Sequence, residues 1–154
     1  MIDIKIKKLH PDAVIPKQAS ELAGGWDVTC TELIQEADDF VICKLGFALQ
    51  PPPNYKITLV PRSSITKTHW LLQNSPGLGD PDYLGEYQYR FRCIPTSSSK
   101  FNGDLELYYN EFPYKIGDRI GQLYLEEIIP INFVEVKELS STERGENGFG
   151  SSGK

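Results

Sequence analysis

The sequence predicts an all-β chain, either a barrel or a jelly-roll-like sandwich. Three observations carry this expectation. Short apolar or alternating runs recur along most of the chain. Turn signals rich in Gly, Pro, Asn and Asp separate them. No stretch sustains a helical period, and no internal repeat is present.

The elements follow in order. Ile2–Lys8 alternates apolar and polar residues, lacks the apolar core of a targeting signal, and reads as a first strand. Pro16 and Gly24-Gly25 break the next segment into a loop, with one short helical turn expected near Ser20–Ala23. A strand then begins at Trp26, placing Asp27 at its start. Asp38 and Asp39 mark a turn, Phe40–Leu49 a strand, and Pro51-Pro52-Pro53-Asn54 another turn. Tyr55–Val60 alternates as a strand and runs into Pro61-Arg62-Ser63-Ser64. Ile65–Leu72 and Glu86–Ile94 flank the turn-rich Asn74–Gly85 segment. Thr96–Asp104 reads as an exposed, mobile loop and Leu105–Tyr109 as a strand. Gly117-Asp118 turns into a strand at Arg119–Glu126, and Phe133–Glu138 is the last apolar alternation. From Ser140 onward, Phe149 is the single large apolar residue, so the tail cannot pack a core.

A chain of 154 residues with 40% hydrophobic residues is most simply one domain able to bury a core. No run approaches a membrane span. The formal charge of −5 argues against a general nucleic-acid binder. A small polyanion remains accessible to an acidic chain if the positive charge is local or arrives with a metal ion. Cys30, Cys43 and Cys93 are odd in number and form no C-x-x-C. They are expected as reduced core residues of an intracellular, cytoplasmic protein. His10 and His69 form no ligand pattern.

Three polar segments point to chemistry. Asn74–Gly85 reads Asn-Ser-Pro-Gly-Leu-Gly-Asp-Pro-Asp-Tyr-Leu-Gly. Its glycines let another object approach the backbone closely, and Asp80 and Tyr83 offer a base and a flat ring. Arg62, Ser63 and Ser64 place a guanidinium beside two hydroxyls in a turn, which suits phosphate oxygens. In the tail, Arg144, Ser151 and Ser152 are donors among glycines, and Phe149 is placed to stack on a base. Each segment also has a plainer account: a solvated turn, a serine-capped turn, a terminal linker.

Taken together they resemble the trimeric-type dUTPases, the deoxyuridine triphosphate nucleotidohydrolases. Five motifs of that family occur in order over nearly the whole chain: Asp12–Asp27, Pro61–Ser64, Asn74–Glu86, Gly117–Leu123 and Arg144–Gly153. The resemblance implies a distorted jelly-roll or β-clip barrel over residues 1–138 and a flexible substrate-closing arm over 139–154. It implies hydrolysis of dUTP to dUMP and pyrophosphate, which limits uracil in DNA and supplies dUMP. Mg2+ would be held mainly by the triphosphate. Asp80 would activate the attacking water. Tyr83 would lie under the deoxyribose. Backbone groups around Leu78, Gly79 and Gln88 would read uracil, with Asn74 contacting substrate nearby. Arg62, Ser63, Ser64 and Gln122 would hold phosphates or the water. Asp27 would support the metal's water shell or an ion-pair network. Arg144, Phe149, Gly150, Ser151 and Ser152 would close the site. A homotrimer with sites shared between subunits is implied, with neither nucleic acid nor membrane as partner.

The chain departs from the family pattern at Gly79, where an apolar and often branched residue is usual, at Leu84, and at Asn147. The Pro95–Phe112 segment is also longer than usual; a surface insertion or a partner-binding loop would account for it. A dCTP deaminase would need a glutamate where Arg90 stands. A regulatory protein acting through the 95–112 loop is the alternative from another class.

Overall fold

The computed structural model describes residues 1–96, 99–103 and 107–148, with the backbone alone for Asn102 and Leu107–Tyr109. Thirteen strands are described: β1 (Lys5–Lys8), β2 (Lys17–Gln18), β3 (Trp26–Thr29), β4 (Glu32–Ala37), β5 (Phe40–Lys44), β6 (Phe47–Gln50), β7 (Tyr55–Pro61), β8 (Trp70–Leu72), β9 (Gly77–Gly79), β10 (Gln88–Cys93), β11 (Lys100–Asn102), β12 (Leu107–Tyr109) and β13 (Arg119–Glu127). One 3-10 turn, Ser63–Lys67, is the only helical element among the described residues. Every pairing is antiparallel. A five-stranded sheet runs β2-β3-β13-β7-β9 and a four-stranded sheet runs β4-β5-β10-β8. Two-stranded pairs β1-β6 and β11-β12 flank them. The all-β, jelly-roll-type fold expected from the sequence is what the chain adopts.

Alternation builds the core. Inward residues Val28, Ile57, Leu59, Ile120 and Leu123 of the larger sheet meet Val41, Cys43, Trp70, Tyr89 and Phe91 of the smaller one in a single buried cluster. All three cysteines are free and buried. No helix among the described residues is long and apolar enough to cross a membrane.

Several boundaries differ from the sequence expectations. The expected Phe40–Leu49 strand is two strands in different sheets. Gly46, at φ 68°, sits between them and lets the chain change sheets, a conformation costly to any residue with a Cβ. The strand begun at Trp26 likewise ends at Thr29, and β4 belongs to the other sheet. Ile65–Leu72 is strand only from Trp70. Before it, Thr66 Oγ1 donates to Ser63 O at 2.7 Å and Thr68 Oγ1 to Ile65 O at 2.8 Å, local bonds that compete with a ladder. The expected helical turn at Ser20–Ala23 is a hydrogen-bonded turn, with Ala23 N donating to Ser20 O at 3.1 Å. Phe133–Glu138 forms no strand, and residues 131–147 are exposed.

The described residues of the 96–104 segment, 96 and 99–103, are not a plain exposed loop. Ser99 is buried, and β11 pairs with β12. Asn110 Nδ2 donates to Ser99 Oγ at 2.8 Å, and Trp70 Nε1 is 3.1 and 3.0 Å from the carbonyls of Asn110 and Glu111. Phe112 packs edge-on against Trp70 at 4.9 Å. The insertion is therefore tied to the core at its C-terminal end.

Candidate active site

Strand pairing alone assembles one group of polar residues. In the larger sheet, β13 lies between β3 and β7, so Gln122 is opposite both Asp27 and Val60. Arg62 follows the end of β7. Asp27, only 7% exposed, accepts from Arg119 Nη1 at 2.9 Å and Gln122 Nε2 at 3.1 Å, with Arg62 Nε 3.5 Å away. Arg62 Nη1 also donates to Arg119 O at 3.3 Å. A buried carboxylate needs such partners. The result is a fixed Arg62 followed by Ser63 and Ser64, both exposed at the start of the 3-10 turn. Asp27→Ala is expected to lower Tm by roughly 3–8 °C, the equivalent of about 1–2 kcal/mol once the partial exposure of both arginines is discounted. A thermal melt checks this, and an unchanged Tm would mean that solvent screens the network.

The second group is built on the turn-rich segment. Gly77–Gly79 is a strand, β9, and it pairs with β7. The segment is stapled to β10 by Asn74, whose Oδ1 accepts from Arg90 N at 2.8 Å and whose Nδ2 donates to Gln88 O at 3.2 Å. That side chain supplies the two bonds a neighbouring strand would otherwise give. After β9 a turn closes with Tyr83 N donating to Asp80 O at 3.1 Å. Asp80 is exposed. Tyr83, 44% exposed, donates its hydroxyl to Glu86 O at 3.0 Å and sets its ring edge-on to Tyr87 at 5.6 Å. Leu78 is exposed, Gly79 buried. Glu86 accepts from Gly46 N at 2.9 Å, tying the base of the hairpin to the β5–β6 corner.

The two groups lie apart within one chain. Gly79 is opposite Ile57 at the start of β7, whereas Arg62 follows its end. Five residues of strand separate those levels by about 17 Å. Arg144 is exposed, and its Nε donates to Asn147 O at 2.9 Å. Phe149, Gly150, Ser151 and Ser152 lie outside the described residues.

Comparison with known proteins decides the family. The chain is 33% identical over 152 residues to the deoxyuridine 5'-triphosphate nucleotidohydrolase of Helicobacter pylori (strain P12), covering 97% of this chain and 96% of that protein. The chain belongs to the dUTPase family. The dUTPase family model matches residues 107–153. The protein of the same name from Helicobacter hepaticus is 36% identical over 152 residues, covering 97% of this chain and 88% of the relative. Among solved structures, Staphylococcus bacteriophage 80alpha dUTPase with dUPNHPP superposes with a TM-score of 0.77 at 26% identity, covering 99% of both chains.

Three residues of this dUTPase-family chain were not singled out from its sequence. Arg119 stands in a quoted motif, but only the sheet register reveals it as the second guanidinium on Asp27. Tyr87 and Tyr89 read simply as strand alternation. In the structure both rings lie on glycines. A Cβ on Gly121 would collide with the Tyr89 ring, and Tyr89 donates its hydroxyl to Gln122 O at 2.6 Å. Gln122 is thus held through its backbone by β10 and through its side chain by Asp27. Among the described residues, no three of His, Cys, Asp and Glu gather to cage a metal by themselves.

Proposed function

We propose that this chain is a dUTP diphosphatase that hydrolyses dUTP to dUMP and pyrophosphate. The observation that carries the proposal is 33% identity over 97% of the chain to a deoxyuridine 5'-triphosphate nucleotidohydrolase. The hairpin that presents Asp80 and Tyr83 supports it.

In this mechanism the Asp80 carboxylate orients a water and takes its proton as the oxygen attacks the α-phosphorus. The new P–O bond forms as the bond to the bridging oxygen of the β-phosphate breaks, and pyrophosphate leaves with that electron pair. Tyr83 lies under the deoxyribose, where a 2′-hydroxyl would meet its ring. Backbone groups of Leu78, Gly79 and Gln88 read the uracil edge, and Asn74 fixes them by its two bonds to β10. Arg62, Ser63, Ser64 and Gln122 bind phosphate oxygens. Arg144 with Phe149, Gly150, Ser151 and Ser152 closes over the substrate and excludes water.

Mg2+ fits this donor set as an ion carried by the triphosphate, since such an ion needs few protein ligands beyond the phosphates. Both Asp27 oxygens already accept hydrogen bonds, so Asp27 would hold it through water. When bound, the ion neutralises phosphate charge. Hydrolysis in ¹⁸O-labelled water is expected to place the label in dUMP. Label in pyrophosphate would move the attack to the β-phosphate and overturn this mechanism.

The site is shared between subunits of a homotrimer. The separation of Asp80 from Arg62 along β7 favours this, because one chain does not bring them together. Ile129, Phe133 and Leu139 are 75%, 90% and 88% exposed, apolar surface that a neighbouring subunit would cover. Mixing Asp80→Asn with Arg62→Ala protein, after subunit exchange, is expected to restore turnover that neither has alone. Mixed trimers that stay as inactive as the parents would place both groups in one subunit's site.

A further inference from the structure

We propose that Tyr87 is the positioning residue of the Asp80–Tyr83 turn, and that Gly79 lacks a side chain because the Tyr87 ring occupies its place. The proposal rests on the dUTPase function above and deepens it by naming what sets the pocket's selectivity for the sugar.

The geometry is specific. A Cβ built on Gly79 would collide with the Tyr87 hydroxyl and lie 2.6 and 2.7 Å from Cε1 and Cζ of the same ring. Gly79 is not held in a left-handed conformation. The three nearest obstacles to a side chain there all belong to the tyrosine ring. The ring cannot withdraw easily. Tyr87 is 2% exposed, its N donates to Phe47 O at 3.1 Å, and its O accepts from Leu45 N at 3.1 Å. The ring is also stacked on Phe47, the centroids 6.5 Å apart. The same ring meets Tyr83 edge-on at 5.6 Å. One rigid ring thus touches the residue before Asp80 and the residue assigned to the deoxyribose.

Among the described residues the hydroxyl itself has no hydrogen-bond partner. Burial first, then the charges of Tyr83 and Asp80, push its pKa up to about 12, so it stays neutral and is not a base at ordinary pH. Tyr89, two residues on, covers Gly121 in the same way but has its hydroxyl bonded. The contrast locates the role of Tyr87 in its ring.

The test is a double-mutant cycle at positions 79 and 87, read by kinetics and by melting. Gly79→Val is expected to lower kcat/KM for dUTP about 10²-fold, because displacing the ring shifts Asp80 and Tyr83 from their working geometry. Gly79→Val with Tyr87→Ala is expected to lose less than the product of the two single losses, because the clash is relieved although the ring no longer positions the turn, and its Tm to exceed that expected from the two single changes. Tyr87→Leu is expected to reduce the preference for dUTP over UTP about ten-fold, whereas Tyr87→Phe keeps the preference. A fully active Gly79→Val protein, additive effects in the cycle, or an unchanged dUTP-to-UTP ratio in Tyr87→Leu would overturn the proposal. If the unmodified protein turned over no dUTP, the underlying function would fail instead. The Tm cycle would then still decide the pairing of the two residues.

Discussion

Asp80→Asn is expected to lower dUTP turnover by about 10²–10⁴-fold, the range a positioned general base contributes. The amide keeps the shape of the carboxylate but cannot take the proton of the attacking water. Asp80 lies on the exposed side of the turn closed by Tyr83 N, and its backbone, not its side chain, makes that turn. The substitution therefore leaves the hairpin in place. Titration of the variant with dUTP in a calorimeter is expected to give a Kd within about three-fold of the unmodified protein, as befits a group that acts mainly in the transition state. Binding lost in proportion to turnover would assign Asp80 to holding the substrate and would remove the base from the mechanism.

Deleting residues 144–154 is expected to lower turnover by about 10²-fold or more while leaving Tm unchanged. The chemical reason would be the loss of the donors Arg144, Ser151 and Ser152 that the proposed mechanism assigns to the charge on the departing pyrophosphate, and of the closure it assigns to the tail. The reason for the unchanged Tm is structural. Residues 140–147 are exposed, and the described hydrogen bonds of Arg144 and Gly145 run only to Asn147 and Thr142. Full activity in the shortened protein would take the tail out of the mechanism. A large fall in Tm would give it a part in folding.

Much of this was legible in the sequence, for physical reasons that differ from element to element. The all-β class follows from alternation and turn chemistry, both local. The Asn74–Gly85 segment announces itself through its Gly and Pro content, although β9 within it is recognised only once β7 is there to pair with. Asp27 stands out as a charge at a strand start, but its partners Arg62 and Arg119 come from distant segments that only the order β3-β13-β7 brings together. The split at Gly46 was hidden because Phe40–Leu49 is apolar apart from Lys44 and Gly46, and a largely buried run does not show where a strand changes sheets. Gly79 is a departure from the family pattern when read alone. It makes sense only beside Tyr87, eight positions on, which is fixed just before β10 by its backbone bonds to Leu45 and Phe47. The separation of Asp80 from Arg62 along β7 could not be read from motif order, since the order of motifs in the sequence does not show how far apart the fold sets them.

Pyrophosphate release with Mg2+ from dUTP, dCTP, dTTP and UTP, measured side by side, tests the central claim most directly. The account predicts release from dUTP alone: the hairpin backbone excludes the other bases and Tyr83 excludes the ribose. Release from UTP at a comparable rate would contradict the role of Tyr83 and, with it, the positioning role of Tyr87. A folded protein that releases pyrophosphate from none of the four would contradict the proposed hydrolysis itself.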